Sequence, residues 1–312
     1  MQPTEKRSLI KAAHMYYIEQ LKQDEIARRM GINRSTVSKY LKRALQAGIV
    51  EIRIKQDSHE ELEAALERRF HLKEAYVVNT SYDLQEVKQH MAKAGLSLLR
   101  RTVGDGEVIG MAWGTTIKEL VIAAEAAQMP RIDADIVPID GGPFDQSSEY
   151  HVNTLCYRLS QTMDCRSHYI YAPAITRTPE IRDAILSDVN YEKISNFWQH
   201  LTLAVVGIGA PVKSSNLVWM GDFGTESIYS LGRAGAVGEI CSVFYDKHGR
   251  VIHTEFTDRT IAVPLDILKS LPYSIGMAAG REKVPAIMGA LKGEYVNVLI
   301  TDETTAKILL NE

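Results

Sequence analysis

The stretch QDEIARRMGINRSTVSKYLKRA, residues 23–44, divides into two short apolar-spaced runs around Gly31-Ile32-Asn33. Ile26, Ala27 and Met30 recur at the spacing of one helix face, so residues 23–30 form a helix. Gly31 follows, the residue that most cheaply takes the left-handed conformation that ends a helix. Asn33 is a good N-cap, and residues 34–45 then place Val37, Tyr40, Leu41 and Leu45 on one stripe. Small Ala27 lets the two helices approach. Arg34, Ser35, Thr36, Ser38, Lys39, Lys42 and Arg43 fall largely outside the stripe. Two helices around a glycine turn form a helix-turn-helix, whose second helix enters the DNA major groove. Its hydroxyls then reach base edges and its lysines and arginines reach phosphates, making those seven residues the candidate DNA contacts. A charged helical hairpin without a nucleic-acid partner is the alternative, but it has no reason to collect these polar types on one face.

Working outward, residues 4–20 carry Leu9, Ala12, Ala13, Tyr16 and Tyr17 at helical spacing, with Leu21 continuing the face. Residues 48–55, GIVEIRIK, alternate as a strand and are expected to complete the core of this head rather than form a wing. Residues 1–55 hold 12 basic and 5 acidic side chains, a net +7, against −10 for the remainder. A basic head on an acidic body points to a polyanion partner for the head alone. Residues 56–74 begin with a polar break and continue as a helix with Leu62, Ala65, Leu66 and Phe70 on one stripe. That stripe either docks on its own chain or pairs two heads.

Beyond residue 75 the pattern alternates strand and helix. Strands are expected at 75–78, 107–113, 134–140, 168–173, 201–209, 273–280 and 296–302, with helices at 83–101, 115–127, 150–162 and 179–186 among others. Such alternation implies an α/β body with a mostly parallel sheet covered on both faces. Residues 236–256 break the pattern, and an inserted hairpin is expected there around the turn DKHGR. Ligands of such sheets sit beyond the carboxyl ends of the strands. There, Gly114, Thr115 and Thr116 offer amides, hydroxyls and a helix N-terminus to an anion. Asp140, Gly141 and Gly142 end the next strand, and Gly207 and Gly209 end a third. Glu239 is a candidate for sugar hydroxyls and Lys283 for a phosphate. Glycine also simply turns a chain after a strand, but three such loops in one sheet favour a phosphate or polyol site.

Length and composition set the frame. A chain of 312 residues suggests two domains, and 45% hydrophobic with 24% charged residues is ordinary for globular proteins. No apolar run is long enough to span a membrane, and the N-terminus has no signal-peptide core. Three cysteines are too few for a disulfide scaffold and fit a reducing cytoplasm. The nine histidines show no metal-ligand spacing, and neither a Walker nor a dinucleotide fingerprint is present. No cofactor or metal is therefore expected. Cys165 and His168 lie close in sequence but lack the third group of a catalytic constellation.

The motifs WGTT (113–116), DGGP (140–143), YHVNTL (150–155), GIGAP (207–211), AVGEICSVFYDKHG (236–249) and the long run from residue 274 to 310 accompany the head. Together they resemble the SorC/DeoR family of bacterial sugar-operon regulators, most nearly its sorbose-operon branch, almost end to end. The resemblance implies a helix-turn-helix domain (1–55), a linker helix (56–74) and an effector-binding and oligomerisation domain (75–312). It implies a body related to sugar-phosphate isomerases that binds without catalysis, partnered by double-stranded operator DNA, by a sugar or sugar-phosphate effector and by copies of itself as dimer or tetramer. The family's phosphate segment matches Gly114, Thr115 and Thr116, its Gly-Gly turn Gly141 and Gly142, its acidic residue Glu239, and its late-helix lysine Lys283. A sugar-phosphate enzyme fused to a DNA-binding head, or a DNA-binding scaffold with a vestigial pocket, are the alternatives.

Overall fold

A computed structural model of the protein describes residues 3–50, 59–143, 148–210, 230–254 and 256–312. Their contacts divide the chain into two compact units, Met1–Asp57 and Ser58–Glu312, each described by itself. Residues 51–58, which include most of the strand expected after Gly48 and the polar break, lie outside the described residues.

In the first unit α1 (Pro3–Ala13) runs on through one wider π turn, His14–Ile18, before α2 (Gln23–Met30) and α3 (Arg34–Gln46). Gly31 sits at φ +64°. Its N–H bonds Arg28 O, and the Ile32 N–H bonds Ala27 O at 3.1 Å, so the orphan carbonyls of α2 are satisfied in a Schellman arrangement. The Glu25 side chain closes the other end of α2 on the Lys22 N–H. One apolar cluster joins Met15, Ile26, Ala27, Val37 and Leu41, and a second joins Leu9, Ala13 and Ala44, with Ile49 and Val50 packed against it. Leu45, expected on the buried stripe of α3, is 40% exposed, and Ala44 takes its place. Positions 37, 41 and 44 share one face of a 3.6-residue helix, and 45 has already turned away from it.

The second unit opens with α4 (Glu60–Phe70), which packs on its own unit through Leu66. Seven strands among the described residues form one parallel sheet: β1 (Glu74–Val78), β2 (Val108–Met111), β3 (Asp135–Pro138), β4 (Arg166–Ser167), β5 (Leu203–Gly207), β8 (Tyr273–Met277) and β9 (Val298–Asp302). Their order is β1-β9-β8-β5-β2-β3-β4. From β2 the chain steps to β3 and β4 on one side; from β5 it steps to β8 and β9 on the other. Right-handed crossovers running in opposite directions place their helices on opposite faces, so a crevice opens where β2 and β5 meet. On the first face α5 (Leu84–Thr102), α6 (Thr115–Glu125) and α7 (Val152–Met163) pack side by side.

Three elements depart from the expectation. Only Arg166–Ser167 of the fourth strand pairs with β3, and 168–173 is not a strand. Asn153 of α7 there acts as a neighbour strand would: its amide donates to Ile170 O and accepts from the Ile170 N–H, both at 2.9 Å. A helix unmarked in the sequence reading, Val189–Trp198, starts on Asp188, which accepts from the Asn190 N–H at 2.8 Å. The hairpin is β6 (Gly238–Ile240) with β7 (Val243–Tyr245), and it turns at Cys241-Ser242. Both turn residues have positive φ, +53° and +63°, the geometry of a type I′ turn. DKHGR makes the next turn, as expected: Tyr245 and Val251 form an antiparallel bridge across it, the Ile252 N–H bonds Phe244 O at 2.9 Å, and Asp246 accepts the N–H groups of His248 and Arg250.

Candidate functional site

On α3, Arg34, Ser35, Ser38, Lys39, Lys42 and Arg43 are exposed and Thr36 is half-buried. The helix is held at its start by Asn33, whose Oδ1 accepts from the Thr36 N–H at 2.8 Å and from the hydroxyls of Ser35 and Thr36, each at 2.7 Å. Both hydroxyl protons point back at the cap, so the lone pairs are left to accept from base amino groups. Arg34 lies 3.8 Å from Asp24 in an exposed pair.

A cavity of about 700 Å³ occupies the crevice beyond β2 and β5. Gly114, Thr115, Thr116, Asp140, Glu239 and Lys283 all line it, with Gly207 and Gly209. Gly141 and Gly142 do not. A Cβ on Gly141 would lie 2.2 Å from Pro173 O, and one on Gly142 would lie 2.1 Å from His151 Nε2. These two glycines serve the close passage of 173–174 and His151, a packing role rather than a ligand-facing one.

Helix α6 begins at Gly114 without any side-chain cap. Its first amides therefore lack the acceptor that a Ser, Thr or Asp would supply, and the helix dipole favours negative charge there. Thr115 Oγ1 accepts from Lys88 Nζ at 3.0 Å. Lys283 stands at the start of the helix Val284–Lys292 and donates to Ile208 O at 2.7 Å. Burial lowers both ammonium groups from the usual lysine range. Glu239 and Glu282 pull Lys283 back up, while the charge of Lys88 pushes it further down. Two cations thus line one cavity.

Three acids, Asp140, Glu239 and Glu282, line the same cavity. Asp140 follows β3 and is 1% exposed. Burial raises its carboxyl well above the ordinary range, and the charge of Glu239 adds to that. Burial raises Glu239 too, against the Ser242 N–H and Lys283. Glu239 Oε2 accepts from Ser242 at 3.0 Å, so this carboxylate also holds the strained turn. Gly209 and Glu239 exchange two backbone hydrogen bonds of 2.9 Å, and a Cβ on Gly209 would meet Glu239 Oε1 at 1.9 Å. Only glycine admits Glu239 at that place.

Sequence reasoning passed over Lys88, Cys241 and Ser242, which also line the cavity. A signal for Lys88 existed. It occupies the stripe of Leu84 and Met91 on α5, at i+4 and i−3, where a lysine is out of place unless its charge is used. Cys241-Ser242 carries no recognised turn signature.

Comparisons with known proteins bear on the family and the fold. The sugar-binding domain family matches residues 55–311, and region 4 of sigma-70, a helix-turn-helix module, matches residues 15–47. The chain is 37% identical over 308 residues to the sorbitol operon regulator of Klebsiella pneumoniae, covering 97% of this chain and 98% of that one. It is 32% identical over 314 residues to the deoxyribonucleoside regulator of Bacillus subtilis, covering 99% of each. The crystal structure of the full-length Klebsiella regulator superposes with a TM-score of 0.76 over 98% of both chains. The chain belongs to the SorC/DeoR-type sugar-binding transcriptional regulators.

Proposed function

We propose that this sugar-responsive regulator of transcription is controlled by a phosphorylated sugar of a carbohydrate-catabolic operon. The phosphate is bound by the α6 amides, Gly114, Thr115, Thr116, Lys88 and Lys283, and the hydroxyls by Asp140 and Glu239. The observation that carries this reading is the pairing of Lys88 and Lys283. Like charges gathered in a half-closed cavity, each weakened by burial, are relieved by an anion. Arg34, Ser35, Thr36, Ser38, Lys39, Lys42 and Arg43 contact operator DNA. The protein works in the bacterial cytoplasm, where its DNA is, as a dimer or tetramer whose paired heads meet paired half-sites. Sedimentation of the full chain measures that state. The effector acts by linkage, preferring one arrangement of the body over another.

Thermal shift against a panel of pentose, hexose and hexitol phosphates identifies the effector, since a tight ligand raises Tm by mass action. Thr116→Val and Lys283→Ala are expected to lose the effector response while still binding operator DNA. A normal response in both variants would move the site elsewhere. One observation favours a second reading. A buried carboxyl with a raised pKa in a cavity suits a general acid or base, so Asp140 could serve a sugar-phosphate isomerase. Turnover of the same panel at ordinary enzyme rates would establish that reading and displace ours.

A further inference from the structure

We propose that the buried carboxylate of Asp302 couples the effector cavity to the place where the DNA-binding head joins the body, through Thr80, Asn79 and His59. The proposal rests on the reading of the cavity as the effector site and adds the route by which its occupancy is felt outside it.

The route starts in the cavity wall. Ala278, Ala279, Glu282 and Lys283 line the cavity, and all belong to the segment that leaves β8 and turns at Gly280. Gly280 has φ +113°, a backbone that favours glycine. Its N–H is held by Thr305 Oγ1 at 2.9 Å and by Asp302 Oδ1 at the longer 3.4 Å. A ligand that draws Lys283 or displaces Glu282 therefore pulls on a turn whose base is held by Thr305 and Asp302.

Asp302 divides its two oxygens between distant parts of the chain. It ends β9 and is buried. Oδ1 accepts from Gly280 and from the Thr305 hydroxyl, while Oδ2 accepts from the Thr80 hydroxyl at 2.7 Å. A buried carboxylate is costly to leave short of donors, so a shift on the Oδ1 side is passed to the Oδ2 side. Thr80 follows β1, and its neighbour Asn79 places Oδ1 2.7 Å from His59 Nε2. An amide oxygen only accepts, so His59 donates here. His59 is the N-cap residue of α4 and stands two residues beyond Asp57, the last of the first unit. The other anchors of α4 hold its later turns: Glu63 and Glu67 on β1 and Arg69 on Leu310 O. The hydrogen-bonded series from the cavity wall thus arrives at the end of α4 to which the head is attached.

The test uses the full chain, a DNA fragment selected by it from a randomised library, and sorbitol 6-phosphate, fructose 6-phosphate and ribose 5-phosphate as probes. The readout is the ratio of DNA affinities with and without saturating probe, a coupling expected to be about tenfold in the parent. Thr80 is exposed, so its replacement spares the core. Thr80→Val removes the hydroxyl at nearly constant volume, and His59→Ala removes the last donor. Each is expected to leave probe affinity and probe-free DNA affinity within about threefold of the parent, and to bring the ratio about fivefold closer to one. Thr80→Ser, which keeps the hydroxyl, is expected to keep the parental ratio. An unchanged ratio in either Thr80→Val or His59→Ala overturns the coupling, and so does a ratio lost equally in Thr80→Ser. In those cases a parental response that disappears in Lys283→Ala leaves the effector site standing. A probe that binds the parent without changing its DNA affinity also overturns the coupling. If none of the probes binds the parent, the sugar-phosphate reading falls and this proposal with it.

Discussion

Asn33 shows how much one side chain arranges at the residue scale. Its Oδ1 takes three donors, the Thr36 N–H and the hydroxyls of Ser35 and Thr36. The cap that starts α3 also orients the two hydroxyls expected to meet base edges. Lys42, about two turns further on, is exposed and is proposed to meet phosphate. Lys42→Ala is therefore expected to weaken every DNA sequence to a similar degree, whereas Ser35→Ala and Thr36→Ala should change which sequences are preferred, by about 1–3 kcal/mol at the base concerned. Binding measured against a randomised site library distinguishes the two. Uniform weakening by all three variants would refute the groove assignment. These roles are legible in the sequence because caps and helix faces depend on neighbours three or four residues away. The burial of Ala44 in place of Leu45 is not, because a shift of one residue in the stripe is settled by what packs against it.

At the scale of elements, α4 explains how the sheet ends. β1 is an edge strand, and its outer amides would otherwise lie open. Glu67 accepts from the Ala75 N–H at 2.9 Å and Glu63 from the Val77 N–H at 2.8 Å. Burial raises the Glu63 carboxyl against the pull of that N–H. Two glutamates on a linker helix, outside its apolar stripe, are the cover of the strand. Beyond β1, Thr80 donates to Asp302 Oδ2 at 2.7 Å, and the Gly280 N–H bonds Thr305 Oγ1 at 2.9 Å, just ahead of the turn that carries Lys283. Hydrogen bonds therefore run from the cavity wall to the strand that α4 covers. The double variant Glu63→Ala, Glu67→Ala should destabilise the second unit by about 2 kcal/mol, the cost of two buried amides losing charged acceptors. Urea denaturation measures it. No loss would mean that water serves those amides equally well.

At the scale of the whole molecule, residues 1–55 and the remainder carry opposite net charge, +7 and −10. The +7 of residues 1–55 makes affinity for DNA an electrostatic quantity. The logarithm of the binding constant should fall with the logarithm of salt at a slope of about −0.9 per phosphate contacted. A flat dependence in a salt titration would rule out phosphate-driven docking. In the body, the cavity exists because strand order reverses between β2 and β5, which sets the ends of four strands around one hollow.

What the sequence determined by itself is everything local in character: the two helices around Gly31 and their cap, the alternation that makes an α/β body, and the glycine and threonine residues at strand ends. The tertiary structure decided which of those residues meet. It brought Lys88 from α5 beside Lys283 from the other end of the chain, and turned Gly141 and Gly142 toward packing rather than ligand. It also buried one oxygen of Asp140 without a hydrogen-bond partner among the described residues. The physical reason is range. Helix faces, caps and turns are written within a few residues, whereas burial, charge pairing and the orphaning of a polar atom depend on segments that only the parallel sheet brings together.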